Sequence, residues 1–406
     1  MTENRKEMPE LFKNKKDCCA CGACLNVCPK DAISMNEDES GFLYPQIDDT
    51  KCINCKMCQK VCAYQNKEEK NVPLRTWVAV SKDEETLKKS SSGGAFYTLA
   101  KSVVEQGGCA VGAAFDDNFN VHHILAENFD DLHKVQGSKY TQSDTELIFR
   151  EVKKKLVSGK IVLFSGCPCQ VAGLKSYLGK EYDNLITIDL ICHGVPSNKM
   201  FKDYIDILKK NKDICEFNFR DKSFGWGIYS SVINSNDKKS RVYSSTSSYM
   251  YYFLNGVIYR ENCYSCKYAC KNRPGDLTIG DYWGIEREHP ELIEGKKIDD
   301  FKGVSVVIAN TQRGIKFVDD NAGLFKLFDS TFEKASRYNT QLNEPTKYDL
   351  RRVDIIEMYK NGGYSAIEKN FQKSFKFKKY KSIIKSLIPH KMKRKLKKIL
   401  RRGQKI

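Results

Sequence analysis

The spacing of hydrophobic and polar positions changes along the chain, and these changes predict its secondary structure. After residue 75, short apolar runs alternate with amphipathic stretches. WVAVS predicts a strand, and GAFYTLAKSVVEQ predicts a helix that opens after three serines and two glycines. CAVGAAFD and HHILAEN predict a pair of strands, and residues 144–157 predict a helix. FNFRD, YSSVINS, SRVYSS and GVSVVIAN predict further strands.

One part of this pattern predicts topology as well as secondary structure. The strand-like run IVLFSG leads through residues 167–170 into the helical run VAGLKSYL, and LITIDLIC follows as a second strand. A strand, helix and strand in close succession are typical of a βαβ unit, which requires at least one parallel strand pair. The predicted class is α+β with an α/β element.

Length, composition and cysteine content narrow the class of protein. The chain has 406 residues, of which 41% are hydrophobic and 29% charged, and two or three domains are expected. The N-terminus lacks the apolar region of a secretory signal, and no run of about 18 apolar residues predicts a spanning helix. Seventeen cysteines without an export signal predict reduced thiols in the cytoplasm.

The net charge of +17 belongs mostly to the C-terminus. Residues 371–406 contain fifteen Lys or Arg and no Asp or Glu, so the rest of the chain is nearly neutral and a nucleic-acid-binding core is not expected. Two apolar stripes separated by Pro389 predict a basic amphipathic helix that binds an anionic membrane on the cytoplasmic side. The stripes are Ile383, Ile384, Leu387 and Ile388, then Met392, Leu396, Ile399 and Leu400. A solubilising tail and a partner-docking arm remain alternatives.

Eight cysteines near the N-terminus repeat one spacing twice. They are Cys18, Cys21, Cys24 and Cys28, which Pro29 follows, and then Cys52, Cys55, Cys58 and Cys62. In two-cluster ferredoxins the fourth cysteine of each run binds the other cluster. The spacing therefore predicts two [4Fe–4S] clusters, with Cys62 completing the first group and Cys28 completing the second. Zinc is the alternative, although zinc sites use paired CxxC loops. The side chain of Cys19 is expected to point away from the first cluster.

Motifs further along the chain occur together in a fixed order. They are SSSGGAFYTLA, GSKYTQS, GCPCQVAGL, DLICHGVPS, FRDKSFGW and CYSCKYACKNRPGDLTIGDYWG. As a set, over roughly residues 15–320, they resemble the family of coenzyme F420 hydrogenase/dehydrogenase beta subunits. The resemblance implies an FAD enzyme that couples hydride chemistry to single electrons from the clusters. The expected fold is thus a two-cluster ferredoxin-type module followed by a mixed α/β flavin-binding domain.

The resemblance also suggests residues that bind the flavin. Ser91, Ser92, Gly93 and Gly94 precede a helix whose free N–H groups favour an anion such as the FAD pyrophosphate, although they could form a simple helix cap. The other expected cofactor residues are Lys139, Tyr140, Gln170 and Asp281. For Lys139 and Tyr140 the alternative is a solvated loop. His193 is the candidate for proton delivery, with a structural role as the alternative. Arg220, Asp221 and Lys222 are expected to form a surface ion-pair cluster or to bind an acidic substrate.

The motifs contain further cysteines that predict a third cluster. Cys263 and Cys266 supply half of a [4Fe–4S] site, and Cys169 and Cys192 are the expected remaining ligands; Cys167 and Cys270 are weaker candidates. A zinc site or free thiols are the alternatives. A cysteine next to Pro168, at the start of a helix, is expected to have a lowered thiol pKa. Cys109 and Cys215 lie in apolar strand-like runs and are expected in the core.

These observations predict five segments and one main function. The segments are a ferredoxin-type domain (1–70), the N-terminal part of the beta-subunit region (71–155), its C-terminal part with the third cluster motif (156–330), a helical extension (331–370) and the basic tail (371–406). The expected function is a cytoplasmic iron–sulfur and FAD oxidoreductase that uses ferredoxin or another redox protein and a small-molecule substrate. The alternative is a non-catalytic electron-transfer subunit. No G-x-G-x-x-G follows a strand, so no nicotinamide site is expected.

Overall fold

A computed structural model describes residues 8–66, 70–210 and 213–387 of the chain. The strands are β1 Ile33–Glu37, β2 Leu43–Ile47, β3 Arg75–Ser81, β4 Cys109–Phe115, β5 Val121–Ala126, β6 Val162–Gly166, β7 Leu185–Leu190, β8 Ile214–Asn218, β9 Ser230–Asn234, β10 Lys239–Val242, β11 Leu277–Asp281, β12 Ser305–Ala309 and β13 Phe325–Ser330. The helices are α1 Ala23–Val27, α2 Met57–Lys60, α3 Glu84–Lys89, α4 Ala95–Glu105, α5 Phe129–Val135, α6 Ile148–Val157, α7 Pro168–Leu178, α8 Asn198–Lys209, α9 Ser248–Leu254, α10 Ile285–Glu288, α11 Pro290–Glu294, α12 Gln312–Asp320, α13 Phe332–Ser336 and α14 Arg351–Leu387.

A mixed sheet forms the centre of the protein. Its strand order is β13-β3-β12-β11-β7-β6-β4-β5, and β4, β6, β7 and β11 are parallel to one another. The predicted βαβ unit is confirmed as β6, α7 and β7. Successive residues of β3 enter different core clusters, since Trp77 packs in one and Val78 in another. Both faces are therefore covered, which explains the almost continuous apolar runs of the central strands.

The parallel strands bring cysteines that are distant in the sequence to one edge of the sheet. Gly166, the last residue of β6, is in register with Asp189 in β7. Cys167 follows β6 directly and Cys192 lies two residues after the end of β7, so the carboxyl ends of these strands bring the two cysteines together. Ligand sites in open α/β sheets form at this edge.

The N-terminal residues fold against helices α6 and α7 of the central domain. β1 and β2 form an antiparallel hairpin, and α1 and α2 each carry one of the predicted cluster cysteines. Arg150 of α6 donates from Nε to the carbonyl of Asn26 (2.8 Å) and from Nη2 to that of Cys28 (3.0 Å). Cys21 and Val61 belong to the same apolar core cluster as strand and helix residues of the sheet domain. The ferredoxin-type module and the mixed α/β domain thus have the predicted α+β arrangement.

A second, aromatic core lies beside the antiparallel sheet β10-β9-β8. The long helix α14 covers it, bends at Gly363 (φ +62°) and continues past residue 370 with Phe371 buried. Residues 388–406, which carry one predicted apolar stripe and Ile388, lie outside the described residues, and so do the side chains of 376–387. In the described part of the chain, no helix combines the length and apolarity needed to cross a bilayer.

The prediction for Cys109 is confirmed, whereas that for Cys215 is wrong. Cys109 is fully buried in β4, but Cys215 is exposed. β8 is an edge strand whose register shifts between Ile214 and Glu216, so Cys215 occupies the irregular position. A bulge turns a residue out of the alternation that its apolar neighbours predict.

Candidate iron–sulfur and flavin site

The two N-terminal cysteine loops have the same backbone geometry. The N–H of Ala20 donates to the Cys18 sulfur and the N–H of Asn54 to the Cys52 sulfur, each at 3.4 Å. Ala20 and Asn54 both have a positive φ. The third cysteine of each run, Cys24 or Cys58, lies on a short helix, α1 or α2, that begins after a left-handed residue. This repeated loop with N–H donors to sulfur suits thiolates that carry charge.

The structure brings the eight thiols together in two groups. A cavity beside the second loop is lined by Cys28 together with Cys52, Cys55 and Cys58. Burial raises the pKa of Cys18, Cys24 and Cys62, and the charges of the other thiols of that group, Cys21 included, raise it further. The grouping therefore has the crossed form that the spacing predicts. The assignment of individual ligands stays a prediction.

A third group of thiols surrounds a cavity, named the third cavity after this group, at the carboxyl edge of the parallel strands. The cavity has about 610 Å³ of empty space, its mouth included. The cysteines that line it are Cys19, Cys167, Cys169, Cys192, Cys263 and Cys266. The four expected ligands are thus brought together, and Cys167 joins them with its sulfur 3.7 Å from that of Cys192. Cys270 is not among the residues that line this cavity.

Cys19 connects the first cysteine loop with this third cavity. Its thiol is buried and forms hydrogen bonds with Cys169 and Cys21. The adjacent residue, Cys18, belongs to the first thiol group. One peptide bond therefore links the first group to the wall of the third cavity.

The expected low thiol pKa at the start of α7 is wrong for both cysteines there. The pKa of Cys167 is raised because it hydrogen-bonds to Cys192 and is buried, while the same bond lowers the pKa of Cys192. For Cys169, the hydrogen bond from Cys19 lowers the pKa, but burial and neighbouring thiols raise it to about 12. Desolvation and like charges outweigh the helix dipole at this site.

Thiols bound to one metal ion lie closer together than thiols around a cubane. Two sulfurs on one tetrahedral zinc are about 3.8 Å apart, given a bond of about 2.3 Å. Within the described ranges, no three His, Cys, Asp or Glu side chains form a group that could hold a single metal ion.

A larger cleft lies beside the third cavity. It has about 1420 Å³ of empty space, counting the part open to solvent, and its wall is mostly apolar. The expected residues that line it are Ser91, Ser92, Gly94, Lys139, Tyr140, Gln170, Asp281 and His193. Gly93 supports the loop from behind, since a Cβ there would lie 2.3 Å from the Ala79 carbonyl oxygen.

One end of the cleft is built to attract an anion. Gly94 (φ +83°) begins α4 with no side-chain cap, so the first N–H groups of this eleven-residue helix remain available. Lys139 donates to the carbonyls of Lys134 (2.7 Å) and Gln136 (3.0 Å), and burial lowers its pKa to about 7. A phosphate bound here would therefore stabilise this end of the cleft, because it would pair with the uncapped N–H groups of α4 and with Lys139.

A buried ion pair that the sequence does not reveal fixes the wall of the cleft next to Ser91, since Arg220 donates to the Ser91 carbonyl at 2.9 Å. Arg220 donates to both carboxylate oxygens of Asp281, at 2.7 and 3.0 Å, and to the Tyr140 hydroxyl at 2.8 Å. Trp226 donates to Asp281 at 2.8 Å and stacks on Trp283. The expectation of a surface cluster is wrong for Arg220 and Asp221, because both are buried. The Asp281 carboxylate thus holds Arg220 and Trp226 in place in the wall of the cleft.

Gln170 and His193 lie where the cleft and the third cavity meet. Gln170 accepts from the Cys167 N–H (3.0 Å) and donates to the Ser143 carbonyl (2.9 Å), so it fixes the turn before α7. His193 lines both spaces, and enclosure by the surrounding protein lowers its pKa. Cys167 and residues 192–195 also line both spaces. The cluster cavity and the cleft therefore share one wall.

Two buried arginines also line the third cavity, and the sequence analysis missed them. Arg273 pairs with Asp189, and Arg260 donates to the carbonyls of Cys18 and Leu43. Their partners are distant in the sequence, so no local pattern marks them.

Comparison with known proteins agrees with this arrangement. Residues 17–66 match the 4Fe-4S dicluster domain, which, with the thiol groups, defines an iron–sulfur protein. Residues 76–148 and 159–330 match the N-terminal and C-terminal parts of the coenzyme F420 hydrogenase/dehydrogenase beta subunit. The chain belongs to this family of oxidoreductase-related, electron-transferring proteins, which confirms the resemblance.

Individual relatives match parts of the chain. One subunit of the F(420)H(2) dehydrogenase of Methanosarcina mazei is 26% identical over 226 residues, which are 51% of this chain and 63% of that protein. The chain thus spans less than two thirds of this relative. An uncharacterized ferredoxin of Methanocaldococcus jannaschii is 38% identical over 53 residues, 13% of this chain and 68% of that protein. A chain of the F420-reducing [NiFe] hydrogenase complex of Methanosarcina barkeri aligns with a TM-score of 0.41 at 16% identity, covering 77% of this chain and 94% of that one.

Proposed function

We propose that this protein is an FAD-dependent oxidoreductase that connects single-electron transfer through three [4Fe–4S] clusters to hydride transfer with a small molecule. The observation that carries the proposal is the wall shared by the thiol-lined cavity and the large cleft. A cluster behind that wall and a flavin in front of it would lie side by side. Bound FAD would supply the conversion between one-electron and two-electron chemistry.

The residues of the cleft fit FAD. The start of α4, the hydroxyls of Ser91 and Ser92 and the Lys139 ammonium would hold the phosphates. The apolar wall, with Phe253 stacked on Tyr140 at 4.6 Å, offers flat surface for a ring system. His193, at the shared wall, would deliver or accept the proton that accompanies hydride chemistry.

The thiol groups are arranged in an order that supports an electron path. Cys55 of the second group is exposed, whereas Cys21 of the first group is buried. Cys19 then joins the first group to the third cavity. Electrons would enter at the second group, pass through the first and third groups, and reach the cleft; the reverse direction uses the same path.

The surface around the second group favours a negatively charged redox protein such as ferredoxin. Ile53 and Met57 are 57% and 41% exposed, which leaves an apolar rim at the cluster. Lys30 and Lys56 line the same cavity, and none of its lining residues is acidic. Lys30→Glu combined with Lys56→Glu should slow electron uptake from an acidic ferredoxin and reduce its salt dependence, whereas Lys316→Glu on α12 should not.

The small substrate would bind in the open part of the cleft, and coenzyme F420 is the first candidate because the family carries its name. Anaerobically reconstituted protein should contain about twelve irons and one FAD, and reduced ferredoxin should bleach the flavin. Turnover of a small molecule by the isolated protein supports the enzyme. Bleaching without turnover would support the alternative, a subunit that feeds a partner, which the name of the Methanosarcina mazei relative favours because it describes one part of a larger dehydrogenase.

A further inference from the structure

Arg260 carries a buried positive charge for which the described residues provide no negative partner. Its side chain is completely buried, and its acceptors are neutral: the carbonyls of Cys18 (3.0 Å) and Leu43 (2.8 Å) and Oε1 of Gln142 (3.4 Å). Among the described residues, Nη2 has no hydrogen-bond partner. The guanidinium carbon lies 4.0 Å from the centre of the Tyr44 ring, which offers only the weak attraction of a π face.

The two other arginines that are less than 5% exposed, Arg220 and Arg273, both have a carboxylate partner. Arg273 pairs with Asp189 at 2.8 Å, and Arg220 pairs with Asp281 at 2.7 Å. A buried charge is stable only when it is compensated. The described residues do not compensate Arg260, and the cavity that it lines has room for a bound anionic group that could.

The position of Arg260 indicates which group this is. It lines the third cavity together with the cysteines, and its Nε binds the carbonyl of Cys18 in the first group. A [4Fe–4S] cluster with four thiolates is an anion, and it becomes more negative when it is reduced. A fixed cation nearby stabilises the reduced form and raises the reduction potential.

We propose that Arg260 is the counter-charge of the first and third clusters and sets the potential at which they accept electrons. The proposal rests on the clusters of the proposed function. In this role Arg260 adjusts the cluster potentials, so that electron transfer from the N-terminal module into the third site is favourable.

Three variants of the full-length protein test the charge separately from the shape. Arg260→Gln keeps hydrogen-bond donors and removes the charge, and Arg260→Lys keeps the charge. Gln142→Glu leaves Arg260 in place and sets a carboxylate against it, which a cation at this distance keeps ionised. The readout is the midpoint potential of each cluster, from redox titration followed by EPR, with iron counted in every sample.

We expect Arg260→Gln and Gln142→Glu to lower the reduction equilibrium constant of the third cluster at least tenfold, which is about 59 mV for one electron. Arg260→Lys should keep most of the wild-type potential. Unchanged potentials in Gln142→Glu with full iron content would overturn the proposal, and so would equal shifts in the Lys and Gln variants. If Arg260→Gln does not bind iron, the midpoint potential of the third cluster in Gln142→Glu decides whether the proposal holds.

Failure of the proposed function gives a different result. Wild-type protein that binds only about eight irons would lack the third cluster. The charge of Arg260 would then still be measured on the first cluster, through its contact with Cys18, in the same variants. No shift there would end the proposal independently of the third site.

Discussion

Arg273 reaches from the loop that carries Cys263 and Cys266 to Asp189 in β7, and its Nε and Nη2 lie 3.0 and 2.8 Å from the same carboxylate oxygen. Both side chains are buried. Arg273 also donates to the Leu190 carbonyl, two residues before Cys192. This pair therefore holds the two cysteine-bearing segments of the third cavity against each other.

Removing one partner should destabilise the protein strongly. Arg273→Met leaves Asp189 buried and unpaired, and such a loss costs about 3–5 kcal/mol. Urea unfolding of the iron-free protein should show it. The control is Lys316→Met, which breaks a surface pair with Asp320 and should cost less than about 1 kcal/mol. A similar small effect for both variants would contradict the structural role.

The crossed ligand pattern predicts which cluster each serine variant damages. Cys62→Ser should remove the cluster of Cys18, Cys21 and Cys24, while Cys28→Ser should remove the other, since each fourth ligand serves the remote loop. Each variant should lose about four irons, and EPR of the reduced protein should show which signal disappears. The exposed Cys215 provides the control, as Cys215→Ser should keep all iron. Loss of the same signal in both variants would reject the crossed pattern.

The third site should use Cys169 and not Cys167. The Cys167 and Cys192 sulfurs, 3.7 Å apart, have the spacing of two thiolates on one ion, about 3.8 Å, which is too close for two corners of a cubane. Cys169→Ser should therefore lose the third cluster, and Cys167→Ser should keep it. Iron counting and EPR on the two full-length variants check this directly. The opposite result would make Cys167 the ligand.

FAD binding should weaken above pH 7 because of Lys139. Burial lowers its pKa from 10.5 to about 7 in the protein without cofactor, so it loses its proton as the pH rises through 7. A bound phosphate restores the proton, and the Kd should then rise, by up to about tenfold per pH unit.

Calorimetric titration of the FAD-free protein between pH 6 and pH 9 tests this, with the pH values chosen on each side of about 7. Lys139→Gln should bind FAD more weakly at the lower pH and show a flatter profile. The exposed neighbour Lys134 is the control, since Lys134→Gln should keep the wild-type profile. Burial also lowers the pKa of Lys222, which donates to the Ser92 carbonyl beside the cleft, to about 7, so Lys222→Gln is measured as well. An equal slope in wild type and a Lys139/Lys222 double variant would exclude both lysines.

The C-terminal tail is proposed to bind anionic membranes, with each Lys or Arg contributing about 1 kcal/mol near the surface. The structure sets the right truncation point: Phe371 is in the core, so a chain cut at Asn370 would lose packing. A chain that ends at Leu387 should stay in solution with anionic liposomes at low salt, while the full-length protein sediments with them. Serine at Met392, Leu396, Ile399 and Leu400 keeps the charge and should weaken binding. Equal sedimentation of all three would reject the anchor.

The sequence was sufficient wherever the signal was local. Spacing alone grouped the N-terminal cysteines, and the change of period from strand to helix identified β6, α7 and β7. It failed where a contact joins distant segments: Arg260 touches Cys18, Leu43 and Gln142, and no periodicity connects them. It also failed where two local effects compete, since burial overrides the helix dipole at Cys169 and a bulge overrides alternation at Cys215.

The close approach of α7 to the first cysteine loop has a consequence for exchanging parts between related proteins. A Cβ on Gly173 would lie 2.8 Å from the Cys21 sulfur, so only glycine fits there without moving the loop. A chimera that joins this ferredoxin-type module to another member's α/β domain would need glycine at the corresponding helix position. Without it, the graft would displace Cys21 even if every cysteine were retained. Whether the two parts fit together therefore depends on Gly173, which is not one of the proposed cofactor-binding residues.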